Sequence, residues 1–272
     1  MKTSPADFHL YGATKPPLTH NQLREVIDLS LWAGQLLLQN GAETERIEET
    51  VHRLGTALGC DWLDVSINST GVLVTASSGD EFRTKTRRVV RQYVNMATIT
   101  AVNELSRDIA QGRVDAVGCR RELRRITEQP HLYNRWLTAF AGGVACAALS
   151  LSFGAALESA LAVAVGTTIA LIFRQELIKR QYNTYMVVIL TSAVGALITG
   201  VAFRAGLIPD AQQAVYASAL ALIPGVQLIN SVSDILKGYT MMGIARGISG
   251  AFISLAIALG LMIAVWLVGV PL

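Results

Sequence analysis

Five apolar stretches crowd the second half of this chain, and each is long enough to cross a lipid bilayer. They are Trp136–Phe153, Leu157–Phe173, Thr184–Phe203, Ala214–Asn230 and Ile244–Val268. A hydrocarbon core of roughly 30 Å needs about 20 apolar helical residues, with about 17–25 as the working range. In lipid every backbone N–H and C=O must be paired internally, so such stretches fold as helices. The joints between them are short and polar: Gly154–Ala156, Arg174–Asn183, Arg204–Gln213 and Ser231–Gly243. The first is so short that Trp136–Phe173 also reads as a re-entrant hairpin, although Glu158 marks a natural turn between two short spans. Five spans is the expected count. Gly142, Gly143, Gly195, Gly200 and the Gly243-x-x-x-Gly247 pair are small enough to let helices approach closely, where lipid supplies no hydrophobic drive.

Charge follows the same division. Of the charged side chains, 33 precede Trp136 and 10 follow it, which excludes one uniform globular domain. A net charge of +3, with both signs interspersed, gives no electrostatic footprint for nucleic acid. Cys60, Cys119 and Cys146 form no C-x-x-C and are odd in number, which argues against a disulfide framework. Met1 to Leu18 is polar and holds Pro5, Pro16 and Pro17, so it lacks the apolar core of a secretory signal. Basic residues set orientation in a membrane. Arg135 precedes the first span, Arg174, Lys179 and Arg180 follow the second, Lys237 follows the fourth, and Arg246 lies just inside the fifth. The opposite joints carry only Arg204, so the N-terminal domain is expected in the cytoplasm and Leu272 outside.

The polar half reads as a small α+β domain. Leu23, Val26, Ile27, Leu29, Leu31 and Leu36–Leu38 give residues 18–39 a broad apolar helical face, and Asn40-Gly41 ends that helix. A second helix is expected over 43–58, with Glu43 and Glu45 at its start, where the helix dipole favours negative charge. Runs rich in β-branched residues at 63–68, 72–77 and 81–87 predict three antiparallel strands. Residues 93–109 and 115–128 predict two further helices, the second ended by Pro130. The expected fold is thus a membrane α-helical bundle of five transmembrane helices preceded by a small cytosolic α+β domain. Its divisions are a flexible N-terminus at 1–17, the α+β domain at 18–135 and the membrane domain at 136–272.

No motif of covalent chemistry stands out. There is no G-x-x-x-x-G-K-S/T and no G-x-S-x-G, so neither a nucleotide-driven pump nor a nucleophile-elbow hydrolase is indicated. Glu48, Glu49 and His52 could share a helical face, but a metal site needs a third ligand that the sequence does not nominate. No enzyme activity, cofactor or metal is expected. The most informative stretch begins at Ile223-Pro224-Gly225. Pro224 removes a helical hydrogen bond and Gly225 loosens the backbone, so the fourth span is expected to break there and free backbone groups for a ligand. Asn230 and Asp234 lie four residues apart and share one face below that break. A carboxylate within a membrane normally faces a cavity or a partner. The alternative is an interfacial Asp234 paired locally with Lys237. Arg174-Gln175 offers a second candidate, because a guanidinium grips a carboxylate bidentately; Arg174 is equally readable as an orientation anchor.

These residues resemble the threonine/serine exporter family, in the split form where two small proteins together make the exporter. Asn40-Gly41-Ala42-Glu43-Thr44-Glu45-Arg46-Ile47-Glu48 is similar to the family's N-terminal signature, and Val72-Leu73-Val74-Thr75 to its following strand. Leu222-Ile223-Pro224-Gly225, Asn230, Asp234, Gly238 and Gly243-Ile244-Ala245-Arg246 resemble its second signature. The resemblance implies a subunit of a secondary exporter in the bacterial inner membrane, with its C-terminus periplasmic. It further implies export of a dicarboxylate such as succinate, or of threonine and serine, and a separate small membrane protein supplying the second exporter domain. Substrate is expected at Asn230, Asp234, Arg174, Gln175, Pro224 and Gly225. A membrane-anchored enzyme or sensor with an active cytosolic domain is the competing class. The cluster Glu43, Glu45, Glu48 and Glu49 reads as a domain contact, a gate or plain surface.

Overall fold

The computed structural model describes residues 16–90, 92–128 and 133–269. Pro130, Leu272 and most of the N-terminal segment therefore lie outside the described residues. The chain forms two compact units. Among the described residues, one takes in 16–90, 92–128 and 226–247, and the other 133–225 and 248–269.

The first unit is built around α1 (His20–Gln39), which packs against helices and sheet on several sides. Leu23, Val26, Ile27, Leu29, Leu31, Leu37 and Leu38 are buried, and each such side chain stabilises the fold by about 1.5–3 kcal/mol. A helix apolar on most of its circumference has to be central, and α1 is. Asn40 ends it, and Gly41 takes φ +82°, a left-handed conformation suited to glycine. The helix α2 (Thr44–Ala57) follows at once.

Three antiparallel strands come next: β1 (Trp62–Asn68), β2 (Gly71–Ser78) and β3 (Glu81–Arg88), in the order β1-β2-β3. Val65 pairs with Val74, and Val74 with Lys85. Side chains alternate across a strand, so Leu63, Val65, Val72, Val74 and Ala76 enter the core while Asp64 and Leu73 point away from it. The sequence of β3 is mostly charged and hydroxylated, which suits an exposed edge that must not recruit other strands. The helices α3 (Met96–Ala110) and α4 (Ala116–Glu128) close the core with Ile99, Val102, Leu105, Ile109, Leu123 and Ile126. The α+β expectation holds, with helix and strand ends shifted by a few residues.

The second unit contains α5 (Arg135–Ser152), α6 (Leu157–Lys179), α7 (Thr184–Arg204), α8 (Ala211–Ser218) and most of α10 (Thr240–Val268). Three helices, α6, α7 and α10, are long and apolar enough to cross a membrane. A fourth span results if Ala211–Leu222 and Gly225–Leu236 are counted as one broken segment. The 18-residue α5 is not among them, so the described residues give three or four spans by length and composition. Helix α6 runs through Lys179, and α8 begins at Ala211, so the joints expected to start at Arg174 and to end at Gln213 are shorter than the sequence suggested. Small residues set the close approaches. A Cβ on Gly260 would lie 1.9 Å from Ser192 Oγ and 2.3 Å from Ile189 O, so α7 and α10 touch at backbone distance.

The expected break falls where proline dictates. A 3-10 turn ends at Leu222, and α9 (Gly225–Leu236) starts directly after Pro224. Helix α9 continues through Asp234, so Ser231–Leu236 is helical rather than part of a polar joint. Cys60, Cys119 and Cys146 are free thiols.

Candidate functional site

The two signature segments singled out in the sequence meet inside the first unit. Helix α2 begins at Thr44, and its first N–H groups have no partner within the helix. Glu43 occupies the capping position without making a side-chain capping bond. Asp234 of α9 does that work instead. Its Oδ1 accepts the Thr44 N–H at 3.1 Å, and its Oδ2 accepts the Thr44 hydroxyl at 2.8 Å. A carboxylate at a helix N-terminus is favoured both by the orphan donors and by the helix dipole.

Burial makes Asp234 unusual, since it has no solvent exposure. A charge so placed needs compensation. Arg246, at 8% exposure, supplies it: Nη1 lies 3.1 Å from Asp234 Oδ2. That contact is electrostatic, because Nη1 makes no aligned hydrogen bond. The other terminal nitrogen, Nη2, donates to Ala42 O at 2.7 Å. Asn230 Nδ2 donates to Gly41 O at 3.0 Å. Side chains from α9 and α10 thus take up the carbonyls of Gly41 and Ala42 and the buried, otherwise unpaired amide of Thr44.

Around this buried centre lies a polar collar. Lys237 Nζ donates to Glu43 Oε1 at 2.8 Å and lies 2.6 Å from Glu45 Oε2, while the Ser233 hydroxyl also donates to Glu43. The hydrogen bond from Lys237, and then that from Ser233, holds the Glu43 carboxyl below the usual carboxylate range. The bonds from Lys237 to Glu43, and then to Glu45, push the Lys237 ammonium up. Tyr239 donates to Glu48 Oε2 at 2.7 Å, and burial first, then that carboxylate, raises its phenol. An open cleft of about 710 Å³ lies beside the collar, lined by Glu45, Glu48, Glu49, His52, Arg53, Trp62, Asp64 and Tyr239, among others.

The start of α10 fits closely on α9. A Cβ on Gly243 would fall 2.7 Å from Ser231 O, and one on Gly247 2.8 Å from Ser231 Oγ. The Gly243-x-x-x-Gly247 pair is therefore a contact surface between these two helices, sealed by Ser231 Oγ donating to Gly243 O at 2.7 Å.

The candidate residues of the sequence divide between the units. Asn230 and Asp234 lie together at the Gly41–Thr44 corner. Asp234 does not pair with Lys237, which binds Glu43 and Glu45 instead. Pro224 and Gly225 form the break before α9. Arg174 and Gln175 belong to the second unit, where Gln175 Nε2 donates to Arg135 O at 3.0 Å and Arg174 Nε is buried without a hydrogen bond. Sequence reasoning passed over Arg246 and Thr44 as site residues. Glu43, Glu45 and Glu48 are contacts to the 226–247 segment, and Glu49 pairs at 3.9 Å with Arg53. Among the described residues, no group of three His, Cys, Asp or Glu side chains could hold a metal ion.

Comparison with known proteins agrees with the two signatures. The family model that matches residues 28–268 is described as "Putative threonine/serine exporter". The "Probable succinate transporter subunit YjjP" of Escherichia coli is 30% identical over 91% of this chain and 96% of that protein. The protein of the same name from Klebsiella aerogenes is 29% identical over 92% and 96%. The "Probable threonine/serine exporter" of Mycobacterium tuberculosis is 26% identical over 88% of this chain but 46% of that protein. No solved structure matches the chain. The chain belongs to the threonine/serine exporter family.

Proposed function

We propose that this chain is one subunit of a secondary exporter that moves a small dicarboxylate such as succinate outward across the bacterial inner membrane, without covalent chemistry. The observation that carries the reading is the buried Asp234–Arg246 pair, 3.1 Å apart at the meeting of both signature segments. A guanidinium already engaged by one carboxylate can exchange it for another. Substrate carboxylate competes with Asp234 for Arg246. Asn230 then turns its amide from Gly41 O to the substrate, and the Pro224-Gly225 break lets α9 make the adjustment. Arg174 provides a further carboxylate contact, with Gln175 beside it bonded to Arg135 O.

A separate small membrane protein supplies the second exporter domain. The word "subunit" in the names of two relatives supports this, as does the greater length of the mycobacterial exporter, of which this chain matches under half. The N-terminal domain faces the cytoplasm and the C-terminus the periplasm, α5 and the broken α8–α9 segment completing five passes. Export of threonine or serine is the second reading, favoured by the family description and the mycobacterial relative.

The test is efflux from vesicles loaded with labelled succinate, threonine or serine, with the chain and its small partner present together or singly. Succinate efflux that needs both proteins and fails in Asp234→Asn and Arg246→Gln supports the proposal. Full efflux by an Asn230→Ala, Asp234→Ala double variant removes the site assignment. Flux by the partner alone, or turnover of a ligand by the cytosolic domain, overturns the functional reading.

A further inference from the structure

Helices α5 and α6 form a tight antiparallel hairpin in the second unit. Its seam is made by glycine: a Cβ on Gly143 would lie 2.1 Å from Thr168 Oγ1 and 2.5 Å from Ala164 O, and one on Gly142 2.5 Å from Leu171 Cδ1. Followed two turns toward the start of α5, the same seam reaches the 3.0 Å bond from Gln175 Nε2 to Arg135 O. Arg135 is the first residue of α5, and Arg174 is the neighbour of Gln175 on α6. Two guanidinium groups therefore belong to one end of the hairpin.

Both are only partly exposed, and the Nε of each is buried without a hydrogen bond. Neither forms an ion pair with a carboxylate among the described residues. The nearest acid in sequence, Glu176, turns to Arg180 at 3.4 Å. Leaving a buried donor unsatisfied costs about 1–3 kcal/mol, and more on a charged group. Two such cations at one end of the hairpin also add their positive potential there. One ligand removes both penalties: an oxyanion held between the two forks, the geometry in which arginine binds carboxylate and phosphate. Arg135 additionally lies over the Trp136 ring, with its guanidinium carbon 4.9 Å from the centroid. That stacking orients the fork and gives the site one aromatic wall.

We infer that Arg135 and Arg174 form an oxyanion-binding site at this end of the α5–α6 hairpin, with Gln175 as a positioning residue that holds the Arg135 backbone. The oxyanion is a carboxylate of a soluble metabolite or the phosphate of an anionic lipid. For the soluble source the inference rests on the exporter reading; because binding is measured without flux, the two can fail separately.

The experiment uses the purified full chain in neutral detergent with two probes, succinate by titration calorimetry and phosphatidylglycerol by native mass spectrometry after delipidation. The variants are Arg135→Gln, Arg174→Gln, the charge-preserving Arg174→Lys, Gln175→Ala and, as control, Arg180→Gln. Thermal melting shows which variants fold. Expected is binding of one probe by the wild type, weakened about tenfold or more in Arg135→Gln and Arg174→Gln and unchanged in Arg180→Gln. Arg174→Lys falls between, since it keeps the charge and loses the fork. Loss confined to succinate identifies a soluble carboxylate, and loss confined to phosphatidylglycerol identifies a lipid headgroup. Wild-type affinity for both probes in a folded Arg135→Gln or Arg174→Lys variant overturns the inference, as does a wild type that binds neither.

Discussion

Asp234 caps a helix that begins 190 residues before it, taking both the backbone N–H and the side-chain hydroxyl of Thr44. The arrangement ties the last turn of α9 to the first residue of α2. It also places a fully buried carboxylate against a helix N-terminus and an arginine at once. These two sources of positive potential act together, so their contributions are not independent.

The first prediction separates them. Replacing Asp234 by Ala strands Arg246 in the interior and costs about 3–5 kcal/mol, the usual consequence of breaking a buried pair. Replacing both Asp234 and Arg246 by Ala costs less than the sum of the single changes, because neither charge is then left alone. Denaturant unfolding of the four proteins in detergent gives the coupling. Strictly additive costs would mean that the pair is not a unit.

Thr44 isolates the cap from the ion pair. Thr44→Val keeps the volume and the backbone donor but loses the hydroxyl bond to a charged acceptor, worth about 1.5–3 kcal/mol. Thr44→Ser keeps that bond and should recover most of the stability. Equal melting temperatures for the Val and Ser variants would show that the hydroxyl contributes nothing.

Much of this was readable in the chain before any coordinates. Asn40-Gly41 announces the end of α1, alternation at Leu63, Val65, Val72 and Val74 announces the sheet, and Pro224 announces the break before α9. Asp234 is conspicuous as a carboxylate within an apolar context. Its partners were not readable, for a physical reason. Periodicity reports which face of a helix is apolar, not which distant donor lacks an acceptor. Glu43 sits where a cap is expected, so nothing local reveals that Thr44 takes its cap from elsewhere. Arg246 reads as an orientation marker because counting basic residues treats every guanidinium as solvated. One signal was available: a buried Asp234 needs a counter-charge, and Arg246 lies twelve residues on, past a short turn. Similarly, the α9–α10 contact follows from Gly243 and Gly247, but only once Ser231 is known to be helical.

The polar collar gives a pH dependence whose direction follows from Glu43. Its folded-state value lies below the ordinary 4.5, so its contribution is fully present above 4.5 and is lost as pH falls through the lowered value. Lys237 is raised from 10.5, so its part of the pairing is fully present below 10.5 and is lost only as pH rises through the raised value. Stability should therefore be level from neutral pH down to about 4.5 and fall in more acid solution, for the share owed to this contact. In Glu43→Gln that share of the acid dependence disappears. An unchanged acid limb in the variant would mean that the collar is not what titrates.

The glycines on α10 provide a graded steric test. A methyl on Gly243 would meet Ser231 O at 2.7 Å and Ile235 N at 3.0 Å, both backbone atoms that cannot rotate away. Gly243→Ala must therefore part α9 from α10, at the roughly 1–3 kcal/mol typical of overpacking. The methyl of Gly247→Ala meets the Ser231 hydroxyl at 2.8 Å, and that group can turn at the expense of its bond to Gly243 O. Its cost should be smaller. At Gly225, where nothing lies within 4 Å, alanine restricts the unfolded chain without a clash and is neutral or stabilising by up to about 1 kcal/mol. Melting temperatures should then rank Gly225→Ala highest, Gly247→Ala next and Gly243→Ala lowest. Separation of α9 from α10 also moves Arg246 relative to Asp234, so Gly243→Ala should lose efflux with both charged side chains still in place. Wild-type stability and efflux in Gly243→Ala would show that the close approach of these helices is not needed to hold the pair.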